Sequence, residues 1–346
     1  MIRRKKLKYN SDFMSRAMDE QLELLEERLT ALYASTADEV NAKFMAYSES
    51  FKEADLEMLA KLEAGDITQA EYSLWVQKNI LQTDLYTSTV DSLTTMMVSA
   101  DVAAMAMVNG ELPFVVAQSF NFVQSLGFAA ADKAGISVGT FQVYNAKSVE
   151  MLIKNNPELL PKASQKTIER LGGIVDIPLD KKWNQEKINQ QIASSMMKGD
   201  SIPQVAENLQ KVTDMDKNSA IRNARTAMTC AENMGRAASA EYLKEHGVPV
   251  EEIWSATYDS RTRATHMMLD GTKRDENGVF GADFLSIPLR YPADPNGEPE
   301  EVYNCRCRLN IQLIGIDHSK DKDLYEEFMK ENDPKSYETL KERGII

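Results

Sequence analysis

The sequence predicts a mainly α-helical protein, in which a long N-terminal helical hairpin and a helical bundle precede a small α+β C-terminal module. Residues that break helices are few, since only 11 of the 346 residues are Pro and 16 are Gly. Apolar side chains recur with helical spacing over most of the chain, whereas strand-like alternation is confined to residues beyond 250. The length indicates two or three domains. We expect the parts to be residues 1–80, 81–160, 180–316 and 317–346.

Residues 1–80 are expected to form a helical arm. Between residues 18 and 62 there is no Pro or Gly, which predicts one long helix. Gly65 ends the pattern, and Thr68 is placed to cap a second helix. A hairpin buried against the rest of the chain and an arm that docks on other subunits both fit this pattern. Apolar side chains step by alternating three and four residues, the heptad spacing, at Tyr33, Ala37, Val40, Phe44, Tyr47, Phe51, Ala54 and Met58.

Residues 81–160 are rich in Ala, Met and Phe and form an apolar helical bundle region, because apolar side chains nearly surround the helix axis. Gly110 and Pro113 predict a break between two helices there. The polar residues in this region argue against a continuous membrane-spanning helix, and the N-terminus lacks the apolar run of a secretory signal. We therefore expect no membrane partner.

Residues 180–316 are expected to contain helices up to residue 245 and then a small α+β part from residue 250. The helical part divides into residues 183–197, a helix capped by Ser201, and residues 218–245. Alternating segments at 253–258 and 305–316 predict two strands. Residues 317–346 are predicted to form a C-terminal helix and tail.

A dense group of chemically distinctive side chains lies between residues 254 and 309. It carries the pattern D-x-R-x-R-x-x-H-x-x-L-x-G, followed by N-C-R-C. In this order, the two motifs resemble the phage head-morphogenesis (Mu F-like) minor capsid family, and the resemblance covers about residues 180–315. The motif residues are Asp259, Arg261, Arg263, His266, Asp270, Gly271, Asn304, Cys305, Arg306 and Cys307.

The cysteines and the histidine of these motifs are candidate metal ligands. Cys305 and Cys307 are two residues apart, so on a strand their sulfurs point to the same face. With His266 they would supply three ligands of a zinc ion, and Asp259 or Asp270 is a candidate fourth. The resemblance favours this hypothesis, because some members of the family carry further Cys and His residues around the motif.

A purely structural interpretation of the same residues stays open. In it, the two thiols are small buried side chains, and Asp259 forms a salt-bridged turn with Arg261 and Arg263. His266 is then hydrogen-bonded within that turn. Three cysteines in total, two of them one residue apart, exclude a disulfide framework and indicate a reducing compartment.

The charge distribution limits contact with nucleic acid to the N-terminus. The net charge is −13, and residues 11–70 alone carry −9. No domain is basic, so a protein that coats duplex DNA is excluded. The first ten residues form a basic arm that could touch packaged DNA, pair with an acidic neighbour or stay solvated. Its cations are Arg3, Arg4, Lys5, Lys6 and Lys8.

The resemblance implies a bacteriophage or prophage minor head protein that acts in head assembly. Its expected partners are the portal protein and capsid or scaffold proteins, and its expected place is the head interior near the portal, after assembly in the host cytoplasm. It would influence DNA packaging or ejection. We expect no catalytic residue and no required cofactor, with zinc as the candidate metal.

Two alternatives remain. One is a metal- or thiol-dependent nuclease or transferase centred on His266, Cys305 and Cys307, although no local catalytic signature accompanies these residues. The other is a helical scaffold protein unrelated to virions.

Overall fold

The structure is a computed structural model that describes residues 12–137, 143–160, 178–313 and 315–346, so the basic arm of residues 3–8 lies outside it. The predicted mainly helical fold with a small β part is confirmed. The helices of the described residues are α1 (Phe13–Ser48), α2 (Lys52–Ala64), α3 (Gln69–Val76), α4 (Asp84–Ala134), α5 (Ala146–Asn155), α6 (Pro178–Lys198), α7 (Ile202–Glu245), α8 (Ala264–Leu269), α9 (Pro299–Val302), α10 (Asp321–Asn332) and α11 (Pro334–Glu342). A π-helical turn spans Gln77–Leu81, short 3₁₀ turns span Pro157–Leu159 and His318–Lys320, and the strands are β1 (Val250–Ser255) and β2 (Arg308–Leu313).

The chain forms two compact units. The first comprises Met1–Leu25, Met107–Ile168 and Arg222–Ile346 as far as they are described, and the second comprises Glu26–Ala106 and Glu169–Ile221 to the same extent. Helices α1, α4 and α7 each contribute residues to both units. These two units do not test the division into four parts, which stays a prediction from the sequence.

The heptad pattern predicts the core of the second unit as far as Phe51. Its side chains from Tyr33 to Phe51 are buried, several of them in one cluster with residues of α3, α4, α6 and α7. The single helix predicted over residues 18–62 is wrong, because α1 ends at Ser48 and α2 begins at Lys52. Near this end, the hydroxyl groups of Ser48 and Ser50 donate to main-chain carbonyls, a bond that competes with helix continuation.

Helix α2 buries a different face from the one predicted by the heptad. Ala54 is exposed, and the neighbouring Asp55 is buried instead. The hydroxyl of Tyr72 donates to Asp55 Oδ1 at 2.8 Å, which satisfies the buried carboxylate. Thr68 is confirmed as the cap of α3, where it forms a reciprocal capping box with Glu71.

Helix α4 is continuous over 51 residues, so the predicted break at Gly110 and Pro113 is wrong. A proline in a helix interior costs about 3 kcal/mol, yet Leu112 and Val115 beside it are fully buried and offset that cost. Residues 202–245 likewise form the single helix α7, where the sequence suggested two helices.

By length and composition, α4 is also apolar enough to cross a membrane. Half of its most apolar window is buried inside the protein, however, and its polar side chains have partners there. Asn121 Nδ2 donates to the carbonyl of Tyr144, and Gln124 Nε2 donates to Ser239 Oγ at 2.8 Å. These are features of a core helix.

The two strands form an antiparallel sheet in the first unit, with register from Val250 opposite Leu313 to Ser255 opposite Arg308. Trp254 of β1 is fully buried and faces Leu309 of β2 in this register. Strand β1 begins three residues before the segment predicted at 253–258, and β2 is shorter than the segment predicted at 305–316 because it begins only after Cys307.

The close approach of α4 and α7 in the first unit depends on Gly235. A Cβ atom there would lie 2.5 Å from the carbonyl oxygen of Val116. We expect Gly235→Ala to lower the free energy of unfolding by about 1–3 kcal/mol. Gly110→Ala is the matched control, because it is also helical but has no atom within 4 Å, and it should raise stability by about 0.5–1 kcal/mol. Urea unfolding measures both, and effects of the same sign would contradict this account.

Candidate functional site

The N-C-R-C motif occupies the bend between α9 and β2. Asn304 has a positive φ of 58°, a left-handed conformation in which Asn is tolerated better than most residues. Two contacts with α7 hold it there: its N–H donates to Thr226 Oγ1 at 2.7 Å, and Arg225 donates to its side-chain oxygen at 3.1 Å. The expected strand position of Cys305 and Cys307 is therefore wrong, since both lie before β2.

The bend nevertheless brings both sulfurs to one histidine. Cys307 Sγ lies 3.3 Å from His266 Nδ1, and Cys305 Sγ lies 3.8 Å from the same atom. The three ligand atoms are all within 4.8 Å of one another. All three residues are at most 2% exposed, so the predicted thiol and imidazole group exists as a buried cluster.

The orientation of His266 is set by its surroundings. Its ring packs edge-on against Trp254, with ring centroids 5.1 Å apart. Nε2 lies 3.0 Å from Glu301 Oε2. The hydroxyl of Thr265 donates to the same carboxylate oxygen at 2.9 Å. A carboxylate behind an imidazole is the arrangement that orients histidine ligands in metal sites, and it leaves Nδ1 facing the sulfurs.

The two thiols differ in acidity. The pKa of Cys305 is lowered, because it accepts a hydrogen bond from Cys307 and lies near the cations Arg263 and Arg308, although burial opposes this shift. The pKa of Cys307 is raised by that hydrogen bond and by burial, with His266 acting in the opposite direction. Cys305 is therefore the first of the two to ionise, and a thiolate is the form that binds metal.

The geometry fits a metal ion. Zn–S bonds of about 2.3 Å and Zn–N bonds of about 2.0 Å in a tetrahedral site place sulfur and nitrogen roughly 3.5 Å apart. The two distances from Nδ1 to sulfur, 3.3 and 3.8 Å, bracket that value. Cys305, Cys307 and His266 could therefore hold a metal.

Neither of the two aspartates considered as a fourth ligand belongs to this group of atoms in the described residues. Asp259 binds Arg306 through both carboxylate oxygens, one of them at 2.7 Å, and this pairing holds the pKa of Asp259 below its usual range. Asp270 Oδ1 accepts the main-chain N–H of Ala256 at 2.8 Å. Gly271 follows with a positive φ of 74°.

The structural turn predicted around Asp259 forms with a different main partner. Arg306 occupies the close position, while Arg261 Nη2 lies 3.6 Å away. Arg263 donates instead to the carbonyl of Tyr303 at 2.5 Å. The motif thus closes on itself, because its first segment binds both ends of the N-C-R-C bend.

Two residues important to the site were given no role by sequence reasoning. Glu301 contacts His266, and Asn233 is fully buried on α7 behind the cysteines. Asn233 Nδ2 donates to the carbonyls of Pro292 and Cys307, and its Oδ1 accepts the N–H of Leu309 at 2.7 Å. The sequence does contain a signal for Asn233, because its polar amide lies on a helix face of small and apolar residues. A polar group buried there must have hydrogen-bond partners.

We expect Asn233→Ala to lower the free energy of unfolding by about 2–4 kcal/mol, because buried main-chain groups of the motif lose their partners. Asn218→Ala is the matched control on the exposed side of α7 and should change stability by less than about 0.5 kcal/mol. Thermal or urea unfolding measures the difference. Equal effects would show that Asn233 does not hold the motif in place.

Comparisons with known proteins agree with the motif. Residues 186–310 match the family model of Phage Mu protein F like protein. The chain is 26% identical over 312 residues to Minor head protein GP7 of Bacillus phage SPP1, a match that covers 88% of each protein. It is also 28% identical over 148 residues to NAD(+)--arginine ADP-ribosyltransferase EFV of Enterococcus faecalis.

The second match is partial, because it covers 42% of this chain and the chain spans only 29% of that relative's length. No solved structure shows a significant match. The site described above lies within the region that the family model matches. Residues 186–310 are therefore similar to the phage Mu F-like protein family.

Proposed function

We propose that this protein is a bacteriophage minor head protein that binds the portal protein and the capsid or scaffold proteins during head assembly. The observation that carries the proposal is the similarity to Minor head protein GP7, which extends over 88% of both chains. In this proposal the protein resides in the head interior near the portal, after assembly in the host cytoplasm. It influences DNA packaging or ejection through binding and not through catalysis.

The N-terminal helices offer a surface for such binding. In the second unit, Leu56, Leu74 and Leu85 are 57, 64 and 53% exposed, respectively. Exposed apolar side chains gain free energy when they are buried against a partner protein. We propose that these leucines contribute to attachment to the portal.

Removal of residues 1–80 is not a usable test of this attachment. Helix α1 contributes fully buried side chains, such as Leu29 and Phe44, to the protein core. A chain without α1 would lose these contacts and unfold, so loss of binding would carry no information. Surface substitutions are the appropriate change.

We expect Leu74→Ser and Leu56→Ser together to reduce co-purification with the portal protein at least tenfold, since two exposed apolar contacts are lost at once. The matched control is Met151→Ser on α5, whose side chain is 61% exposed but lies in the first unit. This control should co-purify normally. Undiminished binding of the leucine variant, with unchanged circular dichroism, would rule out attachment through these residues.

The basic N-terminal arm remains a proposed contact with packaged DNA. Its five cations in the first ten residues are the strongest positive segment in a chain of net charge −13. This contact would be sequence-independent and would weaken with salt.

We further propose that His266, Cys305 and Cys307 bind one zinc ion, which ties α8 to the bend before β2. Bound zinc would neutralise thiolate charge in this buried position and fix the ligands together. Asp259 and Asp270 have other partners, and a water molecule is the usual fourth ligand of a three-residue site.

The expected zinc content of the purified protein is about one ion per chain. Cys305→Ser and His266→Ala should each lower it more than tenfold, because two remaining ligands bind zinc weakly. Cys230→Ser is the matched control, since Cys230 is a buried free cysteine outside the cluster. Elemental analysis by mass spectrometry gives the content. If the purified wild-type protein contains no zinc, the zinc proposal is wrong and the cluster is a structural group of thiols.

The enzyme alternative is supported only by the partial match to an ADP-ribosyltransferase. The burial of His266, Cys305 and Cys307 argues against it, because a substrate could not contact them without opening of the first unit. A variant of these residues that keeps its fold and portal binding but loses a measurable turnover would favour the enzyme.

A further inference from the structure

One short segment of chain contacts the His266 ring at both of its nitrogen atoms. The segment runs from Glu301 in α9 to Cys307, a stretch of seven residues. Glu301 Oε2 lies 3.0 Å from Nε2 of the ring. On the other nitrogen, Nδ1, Cys307 Sγ lies at 3.3 Å and Cys305 Sγ at 3.8 Å. The segment that brings both thiols to the imidazole therefore also brings a carboxylate to its opposite nitrogen.

The carboxylate of Glu301 is itself held in place by α8. The hydroxyl of Thr265 donates to Oε2 at 2.9 Å, and this is the oxygen that lies beside His266. Thr265 and His266 are consecutive residues, so one carboxylate oxygen contacts two neighbouring side chains of the same helix. The Glu301 side chain is only 14% exposed. Its charge is therefore screened by solvent less than that of a surface carboxylate.

Nε2 of His266 is a buried nitrogen that makes no hydrogen bond to any other group of the described residues. Glu301, at 3.0 Å, is the acceptor available to it. A neutral imidazole carries one proton, on either nitrogen, and a carboxylate beside Nε2 favours the tautomer with the proton on that atom. This tautomer directs the lone pair of Nδ1 toward the two sulfurs. Nδ1 is then ready to bind a metal.

We infer that Glu301 is a positioning residue for metal binding at the cysteine motif. It holds His266 as the Nε2–H tautomer and thereby raises the affinity of the buried cluster for zinc. Partners of this kind behind a histidine ligand change metal affinity by about 10- to 100-fold. Thr265 supports this role indirectly, because it fixes the oxygen that faces the ring. The inference rests on the zinc proposal and adds a residue that is not itself a ligand.

The first test is the Kd for zinc of the metal-depleted full-length protein, measured by competition with a chromophoric chelator. Glu301→Met keeps the length of the side chain and removes the acceptor, so Kd should rise by about 10- to 100-fold. Glu301→Gln keeps a neutral acceptor oxygen and should give an intermediate rise. Glu300→Gln is the matched control, because Glu300 is the exposed neighbour on α9, and its Kd should equal that of the wild type.

The second test is the tautomer of His266 in the zinc-free protein, measured by NMR of nitrogen-labelled protein. In the wild type, the ring proton should reside on Nε2. Glu301→Met should transfer part of the population to the tautomer protonated on Nδ1. A contact with a purely structural role would lower the unfolding temperature of the variant without moving the proton between the two nitrogens.

These measurements separate failure of the inference from failure of the zinc proposal. If the wild type binds zinc and Glu301→Met binds it with the same Kd, the inference is overturned and the zinc proposal stands. A proton on Nδ1 alone in the zinc-free wild type also overturns the inference. Wild-type protein that binds no zinc would overturn both.

A second variant guards against a Glu301→Met protein that does not fold. Thr265→Val keeps the shape of the side chain and removes the hydroxyl that donates to Glu301. It should raise the Kd for zinc less than Glu301→Met does. Unchanged Kd values in both Thr265→Val and Glu301→Gln would overturn the inference.

Discussion

The first unit depends on the buried polar face of α7. Thr226, Asn233 and Arg236 are spaced by seven and three residues, so they lie along one side of the helix and are all at most 1% exposed. Each of them bonds to main-chain atoms of the segment that contains the cysteine motif and β2. A strand pair alone is marginally stable, and these bonds attach it to a long helix. The bend from Asn304 to Cys307 is therefore held in place by α7.

Buried charge reinforces the same attachment. Arg236 binds Asp12 at 2.6 and 2.8 Å and lies 3.2 Å from Glu232, which in turn contacts Arg308 of β2. Burial alone would raise the pKa of Asp12, but Arg236 lowers it below its usual value, so the carboxylate stays ionised. Loss of one partner from such a network leaves a buried unpaired charge, which costs more than the pair contributes. The beginning of α1, α7 and β2 are thereby joined in the first unit.

This arrangement supports the binding role proposed for the motif. The thiol and imidazole group is closed from solvent, and Arg306 and Arg263 of the motif are directed at Asp259 and Tyr303 within the same unit. A catalytic centre needs an accessible reacting atom, whereas a metal-binding tie needs burial and fixed ligands. Similarity to a minor head protein over most of the chain and the closed geometry thus point in the same direction.

The sequence by itself determined the helical class, the heptad core from Tyr33 to Phe51, the cap at Thr68 and the grouping of one histidine with two cysteines. These features depend on local spacing and on residue chemistry, which are visible in the chain. Only the tertiary structure decided that α4 continues through Pro113, because burial of its neighbours outweighs the local cost. It also placed Arg306 beside Asp259 and Glu301 beside His266. Such pairings join residues whose proximity depends on how the bend packs against α7, and no local pattern encodes that contact.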